Sequence, residues 1–137
     1  MVQALKKKLK SEKGFTLIEL LAVIVILGII AAIAIPSIGK LISHTQDKAQ
    51  VAEAIQIIDA AKLYTSEKTP DNGTTAGDTE LGSYLENVKV ENTGYTVTIS
   101  RDSNGKYSYT IKNHPASKII HSDSTAVTTE SELIAYK

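Results

Sequence analysis

From Phe15 to Ile35 the chain reads FTLIELLAVIVILGIIAAIAI, a run of 21 residues that carries one charge, Glu19. At helical rise such a run spans about 30 Å, the thickness of a bilayer's hydrocarbon core. In lipid each backbone N–H and C=O must be paired within the segment, so the run has to be a helix. A carboxylate in it costs about 2.5 to 3.5 kcal/mol at mid-membrane and less near an interface, which makes Glu19 a functional candidate. A second reading is that Glu19 is an acid of the first helical turn, favoured by the dipole and seated among the headgroups. That reading accounts for the acid but not for the residues flanking the run.

Those residues are a basic leader, Met1 to Lys13, with Lys6, Lys7, Lys8, Lys10 and Lys13 against Glu12, followed by Gly14. A secretory signal places its apolar stretch before the cleavage site and loses it. Here the glycine comes first. Cleavage after Gly14 would keep the helix on the mature chain and create a new amine at Phe15, four residues from Glu19. The arrangement K-G-F-T-L-I-E at 13–19 resembles the prepilin signature of type IV pilins, type II secretion pseudopilins and competence pilins. The resemblance is specific from Lys13 to about Pro36 and weak beyond it.

The resemblance implies cleavage between Gly14 and Phe15 by a prepilin peptidase and N-methylation of Phe15 by the same enzyme. The new α-amine, with an ordinary pKa of about 7.7 to 8.0, is mostly protonated near neutrality and costly to bury alone. In the family the glutamate matching Glu19 neutralises the amine of a neighbouring subunit, which sets the axial register. Gly28 and Pro36 match positions between which the helix can lose helicity on entering the filament. From the residues alone, Pro36 equally fits a simple kink near Ala32 to Pro36 at the membrane exit, since an internal proline removes a hydrogen bond. The implied partners are further copies of the chain, the peptidase and methyltransferase, and a pilus assembly platform with its cytoplasmic ATPase. The chain has no nucleotide-binding glycine loop of its own.

At 137 residues the chain allows one small domain beside a membrane segment. The expected division is 1–14 leader, 15–36 transmembrane and assembly helix, and 37–137 the amphipathic half of the long helix with an exported head. The formal charge is zero, yet five of the 15 basic side chains and one of the 15 acidic ones lie in the leader, leaving 10 against 14. Positive charge beside the span keeps the N-terminus cytoplasmic and exports the rest. The expected location is a single-pass plasma membrane protein that moves to a surface filament. There is no cysteine, so no disulfide can close the head. Many Gram-negative pilins have such a bridge, and its absence looks more like Gram-positive pilins.

From Ser37 to about Lys68 the helical period continues in two stripes. One is Ile38, Leu41, Ile42, Thr45, Ala49, Ala52, Ile55 and Ile58; the other is Val51, Ala54, Ile57, Ala61 and Tyr64. A helix on a globular surface needs one apolar face, so two predict burial against the chain's own head and against neighbouring helices. Turn residues Thr69 to Gly73 end the helix, and Asp71 to Gly77 reads as a loop. Asp78 is placed to cap a short helix carrying Leu81, Tyr84, Leu85 and Val88 on one face. Tyr95, Val97 and Ile99, then Tyr107, Tyr109 and Ile111, alternate with polar residues around Asp102–Gly105 and predict a hairpin. A third strand is expected at Lys118–His121, and 122–137 fits either a strand or a short helix. The fold class is α+β, a long N-terminal helix packed on a small antiparallel sheet, the pilin lollipop.

No catalytic constellation, cofactor site or metal-ligand spacing is legible. His44, His114 and His121 are scattered and read as surface residues, with His114 in a loop before Pro115. Lys106, Lys112 and Lys118 read as solvated lysines on the sheet, and the mildly acidic exported part disfavours broad DNA binding. The expected function is therefore structural and not enzymatic: a major pilin, with the roles in adhesion and twitching motility that pilus filaments serve. The alternatives are a competence pilin or pseudopilin of DNA uptake or secretion, or a minor pilin acting as a DNA- or surface-binding module.

Overall fold

The computed structural model describes residues 1–86, 88 and 94–137, except for the side chains of residues 9–13. The expectations placed on Lys10, Glu12 and Lys13 therefore lie outside the described side chains. The chain divides into two compact units, residues 1–43 and 44–137.

Helix α1 (Val2–Lys68) begins well before Phe15, where the sequence reading started it, and runs without a break through Gly14, Gly28 and Pro36. The leader's residues favour this: Leu, Lys and Gln are good helix formers, and nothing before Gly14 breaks a helix. The helix stops where local chemistry stops it. Thr69 adopts a left-handed φ of 44°, its N–H donates to the Thr65 carbonyl at 3.0 Å, and Pro70 follows. A proline at that point disfavours further helix in the residue before it.

After α1 come β1 (Thr74–Ala76), α2 (Asp78–Leu81) with a 3₁₀ turn (Gly82–Tyr84), β2 (Thr96–Arg101), β3 (Tyr107–Lys112), α3 (Pro115–His121), β4 (Thr128–Thr129) and α4 (Glu130–Ala135). The sheet is antiparallel in the order β1-β2-β3-β4. Its register aligns Ala76, Val97, Ile111 and Thr128 in one row across all four strands, and all four are buried. Against this face pack Val51, Ala54, Ile57, Ile58 and Ala61 of α1, with Leu81, Tyr95, Ile99, Ala116 and Leu133 completing the core. The α+β expectation holds, a helix covering a small antiparallel sheet.

The hairpin forms where the alternation places it. Asp102 Oδ1 accepts the N–H groups of Asn104 (2.9 Å) and Lys106 (2.8 Å), and Gly105 takes φ 81°, which a side chain would strain. Four expectations are corrected. The segment 71–77 contains β1, short enough that three residues of Thr and Ala carry no readable alternation. Asp78 is the first residue of α2; the cap is Gly77, whose N–H donates to Glu80 Oε2 at 2.8 Å. The third strand expected at Lys118–His121 is the body of α3, because Pro115 starts a helix there and the His114 ring caps it. Lys118 accordingly sits on α3 and not on the sheet. Finally, Ile58, grouped in one stripe with Ile38, Leu41 and Ile42, is fully buried together with Val51, Ala54, Ile57 and Ala61 of the other.

Candidate functional site

Within residues 1–43 the assembly candidates occupy a helix whose apolar surface is uncovered. From Phe15 to Ile42 the large apolar side chains of α1 are each 52% to 70% exposed. So contiguous an apolar surface far exceeds what a monomer in water tolerates and marks an interaction or membrane surface. Among the described residues this is the one helix long and apolar enough to cross a membrane, with a mean hydropathy of 3.0 in its most apolar window. Phe15 and Glu19 are both exposed on this helix, one turn apart. The surface extends beyond Pro36 through Ile38, Leu41 and Ile42, so proline does not end it.

Gly14 and Gly28 are helical, and a Cβ built at either meets nothing within 4 Å. Neither has a positive φ. The chain's own packing therefore gives no reason for glycine at these two positions. Glycine costs about 1 kcal/mol relative to alanine in a helix interior, and nothing among the described residues accounts for it here.

Residues 44–137 contain the second cluster, and it centres on a residue expected at the surface. His114 is wholly buried. Its Nδ1 accepts the Ala116 N–H at 3.1 Å, capping α3, and its Nε2 lies 3.2 Å from Glu53 Oε1 on α1. Because Nδ1 is an acceptor, the neutral ring carries its proton on Nε2 and donates it to Glu53. Burial lowers the His114 pKa, and the Glu53 carboxylate opposes that shift. The Tyr95 ring stands edge-on to the imidazole at 6.4 Å. Burial pushes the Tyr95 hydroxyl up to about 12, and among the described residues no hydrogen-bond partner reaches it. An open pocket of about 840 Å³ lies beside His114, lined also by Asp47, Gln50, Asn113, Lys118 and Ser124. The readable signal was His-Pro-Ala: a capping-competent side chain directly before a proline at the first helical position.

The remaining polar contacts fasten elements to one another. Lys62 on α1 bonds Glu130 on α4, and that bond is the main reason its pKa is raised. Tyr84 donates to Glu67, which lowers the Glu67 pKa. Lys106 and Lys112 are exposed, as expected of solvated lysines. No group of three or more metal-ligating side chains occurs among the described residues.

The prokaryotic N-terminal methylation motif matches residues 9–35. Over 100 residues the chain is 40% identical to the type IV major pilin protein PilE1 of Neisseria gonorrhoeae, covering 65% of this chain and 53% of that protein. It is 34% identical over 110 residues to the type IV major fimbrial protein FimA of Dichelobacter nodosus, covering 79% of this chain and 57% of the relative. A fimbrial protein of Neisseria meningitidis serogroup A is 38% identical over 99 residues, 65% and 56% of the two chains. The chain thus spans little more than half the length of these relatives. No solved structure matches it.

Proposed function

We infer from the methylation motif and the likeness to type IV major pilins that the chain is a type IV pilin, a structural subunit polymerised as a major pilin into a surface filament with further copies of itself. The observation that carries the inference is the glycine at residue 14 placed directly before the apolar stretch of α1, whose large side chains from Phe15 to Ile42 lie uncovered. A surface of that kind is held first by lipid and then, in a filament, by the same surface of neighbouring subunits.

In this reading residues 1–14 are a leader, 15–36 the membrane and assembly helix, and 37–137 the rest of the long helix with the head. A prepilin peptidase cuts between Gly14 and Phe15 and methylates Phe15. The uncut backbone is helical at this junction, and the enzyme has to open it locally to reach the peptide bond. Gly14 lowers the cost of opening and leaves the backbone bare for close approach. The freed amine of one subunit is then neutralised by Glu19 of another, which offsets the cost of burying an isolated charge. Gly28 and Pro36 mark where the helix yields during assembly. An assembly platform and a separate ATPase supply the work of extraction.

The deciding experiment is a mass spectrum and N-terminal sequence of the protein in a sheared surface fraction. A dominant chain beginning at methylated Phe15 is the expected result. An intact Met1 terminus confined to membranes would overturn the reading.

A further inference from the structure

We propose that His114 is a proton-operated latch holding α3 onto α1, so that acidification releases α3 while the sheet stays intact. The inference goes beyond filament assembly and depends on the head alone. The geometry assigns each ring nitrogen one task. Nδ1 must be an acceptor to hold the Ala116 N–H, and Nε2 must donate to Glu53 across to α1. A second proton can enter only at Nδ1, and it then faces an N–H instead of receiving one. The cap becomes a donor against a donor, with the ring buried between them.

What the cap holds is substantial for a seven-residue helix. Ala116 and Ser117 are fully buried, and the Ser117 hydroxyl accepts from Thr128 of β4 at 2.9 Å. The helix is entered through Asn113 and left through Ser122, both non-glycine residues at left-handed φ, 58° and 60°. Such residues hold that conformation only while the surroundings enforce it. The β2–β3 hairpin does not depend on a histidine, being closed by its own ladder and the Asp102 turn.

The charged and titratable groups around the ring are few. Glu53 touches it from α1; Asp47 of α1 and Lys118 of α3 line the pocket beside it; Tyr95 packs on it from the residue before β2, with Asp78 and Glu80 near the Tyr95 hydroxyl. His121 and Glu132, 3.5 Å apart, form a separate pair at the other end of α3. The sign follows from burial. The unfolded chain accepts its proton near the ordinary histidine value of about 6.5, before the buried ring does. The latch is complete above about pH 6.5 and weakens as pH falls from there through the lowered value of the folded state.

The test is amide hydrogen exchange of the full chain in detergent micelles between about pH 7.5 and 5.0, corrected for intrinsic rates. Protection in α3 should fall by about tenfold or more relative to β2 and β3. In His114→Asn, which keeps an oxygen able to cap but cannot titrate, α3 should stay protected throughout. His121→Gln should behave as the parent does. In Glu53→Gln the charged ring loses the carboxylate that favours it inside the fold, so the loss of α3 protection on acidification should be deeper than in the parent and extend to lower pH. Unchanged α3 protection in the parent chain overturns the proposal, and so does an equal loss in His114→Asn. If His114→Asn does not fold, the parent titration and the depth of the loss in Glu53→Gln decide: a loss on acidification no deeper than the parent's overturns the proposal.

Discussion

Val97 of β2 and Ile111 of β3 are register partners, and neither exposes any surface. They are the centre of the buried row that crosses the whole sheet, and α1 closes over them. Ile111→Ala should therefore cost about 2 to 5 kcal/mol, because three carbons are lost and the row cannot collapse from both sides. Ile111→Val should cost about 0.5 to 1.5 kcal/mol. Urea unfolding of the full chain in detergent checks both. A loss below about 0.5 kcal/mol for the alanine variant would mean that the sheet does not carry the core.

Tyr95 is the opposite case, a buried side chain with one atom that the described residues do not satisfy. A buried hydroxyl without a partner costs about 1 to 3 kcal/mol, so Tyr95→Phe should leave stability unchanged or raise it by up to that amount. The denaturant midpoint is the measurement. A drop of more than about 1 kcal/mol would show that the hydroxyl does bond a neighbour.

The elements that the sequence made legible are those with a long or strict period. The apolar run from Phe15, the inward stripe of Val51, Ala54, Ile57 and Ala61, and the Tyr95–Ile111 hairpin each repeat enough times to be read from one chain. The rest is short and decided by contacts far away in sequence. β1 and β4 have three and two residues, and pairing with β2 and β3 makes them strands. Ile119 and Ile120 sit side by side at a spacing that fits strand or helix, and the His114 cap decides between them. His114 itself looked like a surface histidine because its partner, Glu53, stands 61 residues earlier. Of the assembly candidates, Gly14, Phe15 and Glu19 were legible as candidates from the junction alone, and their roles rest on the proposed assembly. That the uncovered surface continues past Pro36 to Ile42 was not, because helical stripes do not say which face stays bare.

Acid should also loosen α4, in a lower window than the His114 latch. Thr129 and Glu132 form a reciprocal cap: the Glu132 N–H donates to Thr129 Oγ1 at 3.3 Å, and the Thr129 N–H donates to Glu132 Oε2 at 2.7 Å. The Thr129 backbone bond, followed by that from its hydroxyl, holds the Glu132 carboxyl below its usual range. A lowered carboxylate contributes stability above the unfolded value of about 4.3 and loses it as pH falls through the folded value. Glu132→Gln should therefore be less stable than the parent at neutral pH and converge with it below about pH 4. Thr129→Ala removes the other half of the cap and should cost about 0.5 to 2 kcal/mol. Thermal unfolding across pH 3 to 7 tests both, and parallel curves for Glu132→Gln and the parent would remove the carboxylate from the cap.

Glu19→Gln is the sharpest test of the assembly reading because it changes charge and almost nothing else. Glu19 is exposed on α1, so the amide needs no repacking and the folded head should be untouched. The glycine junction is also intact, and export and cleavage between Gly14 and Phe15 should proceed as in the parent. What is lost is the carboxylate that would accept a neighbour's protonated amine, leaving that amine unpaired in an apolar filament interior. Burying it alone costs several kcal/mol per subunit, enough to stop growth. Processed Glu19→Gln subunits should therefore accumulate in the membrane, with sheared filaments reduced by more than tenfold. Normal filament yield from this variant would show that register is set elsewhere on the helix and leave Glu19 as a first-turn acid held by the helix dipole.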